Sequence, residues 1–147
     1  MNYALCDENQ VSDRRKVMNY YHSCTIYKSF EDVIADVTEA LKKEGFGIIS
    51  RIDLAEKLKE KLGIDFHRYV ILGACNPALA YKALQAEDTI GVMLPCNVVI
   101  QEKEPGKVEI AAIDPTASMA TVGNPALLPI AEEVGNKLKK VIDTICF

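Results

Sequence analysis

The sequence has no tryptophan, only two histidines (His22 and His67), no extended basic block and no CxxC pair. Its apolar runs all stop short of the 18 or more residues that a membrane span needs. Each absence removes a class of function. Without clustered lysine and arginine the electrostatic footprint for nucleic acid is missing, and 21 acidic against 17 basic residues, net charge -4 and a pI near 5.2, point the same way. Asp7, Glu8 and Asp13 interrupt the start of the chain, where a signal peptide would need an apolar h-region, so the expected location is cytoplasmic and off the membrane. Five cysteines, at positions 6, 24, 75, 96 and 146, are an odd and widely spaced set, which argues against a disulfide framework and a zinc ribbon alike. With both histidines solitary in sequence, no metal and no cofactor is expected.

What is present is 147 residues, 49% of them hydrophobic and 26% charged, which suits one globular domain. A chain of this length buries roughly 70% of its unfolded surface. Residues 1–18 are polar and aperiodic and read as an N-terminal tail or docking arm, with Met18 as an alternative start; residues 19–147 read as a single α+β domain. Tyr20 to Tyr27 is aromatic and β-branched, as a strand is. Ser29 and Asp32 open a helix whose Phe30, Val33, Ile34, Val37 and Leu41 share one face, and Gly45 closes it before a second strand from Phe46. Asp53 caps a short helix with Leu54, Leu58 and Leu62 on one side and Gly63 at its end.

The continuous apolar run Arg68 to Cys75 predicts a strand buried on both faces, stopped by Asn76-Pro77, an N-cap followed by a favoured first helical residue. A helix over Pro77 to Glu87, a short strand over Thr89 to Leu94 and a hairpin of Cys96–Lys103 with Val108–Ile113 follow. Asp114-Pro115 and Asn124-Pro125 repeat the cap-and-proline device before two last helices. The expected order is β-α-β-α-β-α-β-β-β-α-α. The hairpin makes the sheet mixed or largely antiparallel, with helices packed on it, and disfavours a parallel dinucleotide-binding sheet. Gly45-Phe46-Gly47 precedes a strand instead of following one, so it has no phosphate-cradling context.

Two strand ends carry the same local pattern, Gly73-Ala74-Cys75-Asn76-Pro77 and Leu94-Pro95-Cys96-Asn97. Cys75 precedes a helix N-terminus, where the dipole and free N–H groups favour an anion and lower a thiol pKa. Cys75 and Cys96 therefore stand open to two readings: an activated thiol pair for redox, sulfur or soft-metal chemistry, or two small buried residues that pack a helix–sheet junction. Asn76, Pro77, Pro95, Asn97, Asp114 and Met119 complete the candidate pocket. Asp114, Asn124 and Asn76 together could present N–H groups to a small anion, although capping explains each alone. Met119 could line the pocket or fill a core gap. His67 lies at the far end of its strand from Cys75, roughly 26 Å away at the usual rise per residue, which excludes a Cys-His dyad. No serine triad or paired carboxylates are legible, and the sequence leans towards a non-enzymatic binding module.

Glu44-Gly45-Phe46-Gly47-Ile48, Ile71-Leu72-Gly73-Ala74-Cys75-Asn76-Pro77, Leu94-Pro95-Cys96-Asn97-Val98-Val99 and Ile113-Asp114-Pro115 together resemble the domain-of-unknown-function 302 family of bacteria and archaea, over about residues 20–145. The resemblance implies a small α+β domain, similar to the TATA-box-binding-protein-like fold with decoration, and a tendency to homodimerise. It implies no activity, and similarity to a DNA-binding saddle does not transfer function. The matching cysteine motifs are Cys75, Asn76, Pro77, Pro95, Cys96 and Asn97; residues 1–18 depart from the pattern.

Overall fold

A computed structural model describes residues 19–147; the expected tail at 1–18 lies outside the described residues. The elements are β1 (Tyr21–Tyr27), α1 (Phe30–Lys43), β2 (Gly47–Asp53), α2 (Leu54–Leu62), β3 (Arg68–Cys75), α3 (Pro77–Ala86), β4 (Cys96–Glu104), β5 (Lys107–Ile113), α4 (Pro115–Ala120) and α5 (Leu128–Cys146). The strands form one sheet in the order β1-β5-β4-β3-β2, and every ladder is antiparallel. The α+β class and the largely antiparallel sheet are as expected.

Local chemistry sets the element ends. The Ser29 hydroxyl accepts from the Asp32 amide at 3.2 Å and starts α1; the Asp53 carboxylate accepts from the Glu56 amide at 3.0 Å and starts α2. Gly106, at φ +78°, turns β4 into β5. Arg68, at the start of β3, pairs with Glu31 on α1 and lies 4.2 Å above the Phe30 ring, which pins the first turn of that helix to the sheet.

Strand alternation then divides the sheet into two faces. Val70, Leu72 and Ala74 of β3, Val98 and Ile100 of β4, and Val108, Ile110 and Ala112 of β5 are buried on one face. Against them pack Val33, Val37 and Leu41 of α1 and Leu138, Val141 and Ile142 of α5. Each such aliphatic side chain contributes about 1.5–3 kcal/mol when fully buried, so this layer dominates the stability. A smaller cluster of Ala83, Ile90, Met119, Leu127 and Ala131 joins α3, α4 and the start of α5.

Two expectations are corrected. Thr89 to Leu94 is not a strand: Ile90–Met93 forms a 3-10 turn, with the Val92 and Leu94 amides donating to the Thr89 and Gly91 carbonyls at 3.1 Å. The strands flanking it in sequence, β3 and β4, are already paired on both sides, and burial of Ile90 in the smaller cluster overrides its β propensity. Second, the argument against disulfides fails for one pair. Cys24 of β1 is joined to Cys146 at the end of α5, with Cα atoms 6.3 Å apart across a separation of 122 residues. That separation is what hid the pairing, because α5 returns along the sheet to the edge strand that opens the domain.

Gly73 tests the packing at the end of β3. A Cβ there would meet the Ser50 hydroxyl oxygen of β2 and come within 2.7 Å of the Pro95 ring. Gly73→Ala is expected to lower unfolding free energy by about 1–3 kcal/mol in urea titration, with part of the loss restored by adding Ser50→Ala. An unchanged midpoint would mean that this crowding is absent.

Candidate functional site

The strand-end cysteines lie close to one another in a packed setting. The β3–β4 register sets Ala74 opposite Cys96, which makes Cys75 a near neighbour of Cys96. Cys75, Asn76, Pro95, Cys96 and Met119 line a cavity of about 20 Å³, closed further by Phe46, Leu79 and Ala83. That volume suits about one water molecule. Asn76 is committed to structure: its side-chain oxygen accepts from the Leu79 amide at 3.3 Å, and its Nδ2 donates to the Glu44 carbonyl at 3.5 Å, tying the end of α1 to the start of α3. Gly45, at φ +85°, leaves room for that amide, since a Cβ there would lie 3.0 Å from Asn76 Nδ2.

The other candidate residues fall elsewhere. Pro77 opens α3, and Asn97 points to the opposite face of the sheet from Cys96. The Asp114 carboxylate accepts from the Thr116 amide and hydroxyl at 3.1 and 2.6 Å and lies 3.5 Å from His22 Nε2. Asn124 accepts from the Ala126 amide at 3.0 Å and donates to the Ala86 carbonyl and the Glu87 carboxylate. Asp114, Asn124 and Asn76 each cap a different helix, so they do not converge on one anion. Cys96, expected as the partner of an activated Cys75, is a poorly ionised thiol. Burial, with the neighbouring Cys75 adding to it, pushes its thiol from the ordinary 9.0 up to about 11, so it remains protonated at neutral pH.

A second concavity, missed in the sequence, lies on the sheet face that the main helical layer leaves uncovered. It measures about 410 Å³ and is lined by Tyr20, Tyr21, Tyr69, Asn97, Val99, Gln101, Lys103, Glu109, Ala111 and Ile113. The register places Tyr69 opposite Gln101, and Gln101 opposite Glu109, in one row across β3, β4 and β5. Along that row His67 Nε2 meets Gln101 Oε1 at 2.8 Å, and Gln101 Nε2 donates to Glu109 Oε1 at 2.8 Å. With Gln101 so oriented, His67 carries its proton on Nε2. Burial first, then the negative charge of Glu109 and the nearby Tyr20, raises the Tyr69 phenol above its ordinary range, so the hydroxyl stays a neutral donor. The arrangement is a polar row flanked by tyrosine rings, suited to orienting a ligand through hydrogen bonds and stacking. Alternation alone could have placed Gln101 and Glu109 on one face; the addition of His67 and Tyr69 required the register.

Among the described residues no group of three or more His, Cys, Asp or Glu side chains is placed to hold a metal, and no helix is long and apolar enough to cross a membrane. The family described as "Domain of unknown function DUF302" matches residues 22–145. The crystal structure of an uncharacterized conserved DUF302 protein from Bacillus stearothermophilus has a TM-score of 0.79 to this chain at 32% identity, covering 87% of this chain and 98% of that one. No curated protein matches the chain.

Cys96 carries a pH prediction. Its folded pKa lies above the unfolded value, so the folded state holds the proton more tightly and stability falls as pH rises from about 9 towards 11. The loss has a limiting slope of about 1.4 kcal/mol per pH unit within that window. Cys96→Ala is expected to flatten the slope relative to wild type in denaturant titrations, and iodoacetamide at pH 8 is expected to label Cys96 only after unfolding. Rapid labelling in the folded protein would contradict the assignment.

Proposed function

The chain belongs to the DUF302 family, and on that premise we propose that it is a non-catalytic, homodimeric module that binds a small polar ligand on the open face of its sheet. One observation carries the ligand reading: the depression of about 410 Å³ lined by Gln101, Glu109, Tyr20, Tyr21 and Tyr69, with His67 bonded to Gln101 just outside it. It falls within the range of small-molecule sites. Tyrosine rings supply rigid stacking surface, while the Tyr69 hydroxyl, Asn97 and Lys103 offer donors, which favours a flat molecule with carbonyl or carboxylate acceptors. A thiol chemistry at Cys75 and Cys96 is the weaker reading, because the cavity there admits little more than one water and the Cys96 thiol is hard to ionise.

The dimer rests on α2. This nine-residue helix carries Leu54, Leu58 and Leu62 on one side, yet none of its residues is fully buried. Isolated helices of that length are unstable in water, so they depend on a covered apolar face. Ile49 and Ile52 on the adjoining edge strand β2, and Ile64 and Phe66 in the following loop, extend the exposed apolar surface. A second copy meeting this surface about a two-fold axis covers it and occupies the free edge of β2.

For the ligand, a thermal-shift screen of nucleobases, aromatic carboxylates and amides is expected to find compounds that raise the Tm of wild type but not of Tyr69→Ala or Gln101→Ala. A panel in which no compound separates wild type from both variants would sink this reading. For the dimer, sedimentation equilibrium is expected to give twice the 16.2 kDa chain mass for wild type and the chain mass for Leu62→Glu. A monomeric wild type at micromolar concentration would refute it.

A further inference from the structure

We infer that Cys24 and Cys146 form a thiol–disulfide exchange site that small-molecule disulfides oxidise and dithiols reduce. Their Cα separation of 6.3 Å falls inside the range that disulfides occupy. Cys24 sits mid-strand on the helix-facing side of β1, and Cys146 closes the last turn of α5. Unlike Cys96, both are half-buried instead of sealed. A cleft of about 320 Å³ opens beside Cys24, lined also by His22, Lys139, Asp143 and Phe147, the residue that follows Cys146. This cleft admits a reagent much larger than the one water that fits beside Cys96. Lys139 places a cation where the carboxylates of a peptide disulfide such as oxidised glutathione could approach, while Asp143 limits that attraction.

The exchange balances in two steps. The thiolate of one cysteine attacks a sulfur of the small disulfide, a mixed disulfide forms, and one small thiolate leaves and takes up a proton. The thiolate of the second cysteine then attacks the protein-side sulfur, closing the Cys24–Cys146 bond and releasing the second small thiolate, which is likewise protonated. Two electrons pass from the protein to the small disulfide, and a dithiol returns them. The bond clamps the C-terminal helix to the edge strand across a sequence separation of 122, a long loop whose closure restricts the unfolded chain strongly. Redox state thus sets how firmly the two ends of the domain are held.

The test equilibrates the reduced full chain with graded ratios of glutathione disulfide to glutathione, quenches in acid and maps linked peptides by mass spectrometry. The expected result is a mass lower by two hydrogens, a Cys24–Cys146 linked peptide, free Cys75 and Cys96, reversal by dithiothreitol and a higher Tm for the oxidised form. Cys6→Ser is expected to behave as wild type, whereas Cys146→Ser takes up one glutathione at Cys24 and its Tm no longer rises on oxidation. Linkage through Cys6, Cys75 or Cys96, mixed disulfides that never close, or a bond that ignores the glutathione ratio would each overturn the inference.

Discussion

The structure depends on one asymmetric constraint: a five-stranded antiparallel sheet that buries one face against α1 and α5 and leaves a wide concavity on the other. Because successive side chains on a strand point to opposite faces, the aliphatic positions of β3, β4 and β5 commit their neighbours to the open side. Val98 and Ile100 enter the core, so Asn97, Val99 and Gln101 cannot. A shift of one residue in the register would exchange these sets and place Gln101 and Glu109 among aliphatic side chains without partners. The hydrophobic layer thereby fixes where polar groups collect, and the row His67–Gln101–Glu109 is a by-product of core packing.

The same asymmetry separates the cysteines by role. Cys96 faces the core at the end of β4 and has lost the water that would stabilise a thiolate. Cys75 stands beside it in a junction held by Asn76, Pro95 and the close approach at Gly73. These residues join β3 to α3 and close the space that a substrate would need. Cys24 and Cys146 sit at the sheet edge, where a cleft remains open. Gly135 of α5 serves the junction at the opposite end of the edge strand: a Cβ there would lie 3.1 Å from Asp114 Oδ1, so its absence lets α5 pack against the start of α4.

Local signals were legible wherever neighbouring residues decide the outcome. Ser29, Asp53, Asn76 and Asp114 cap the helices that their side chains suggest, because capping involves only the next two or three residues, whereas Asn124 caps a 3-10 turn (Pro125–Leu127) that leads into α5 and not α5 itself. The hairpin through Gly106 is local in the same sense. The continuous apolar run of β3 reads as a strand buried on both faces, but only Val70, Leu72 and Ala74 face the main core, with Gly73 covered by Pro95 and Ser50. Long-range partnerships were not legible. The disulfide spans most of the chain, the Thr89–Leu94 segment was decided by burial of Ile90 against distant residues, and the open-face row needs the register of three strands at once. The cysteine motifs drew attention because they are compact in sequence, whereas the larger concavity is assembled from β1, β3, β4 and β5 and has no contiguous signature.

The account therefore turns on which face of the sheet receives a ligand. Chemical-shift mapping of the 15N-labelled chain, saturated with a compound that stabilises it, tests this directly. The account predicts shifts at the Gln101 side-chain amide and at the backbone amides of Tyr69 and Glu109, with Cys75, Cys96 and Met119 unmoved. Shifts concentrated at Cys75, Cys96 and Met119 with an undisturbed Gln101 would contradict it and return the site to the strand-end cysteines.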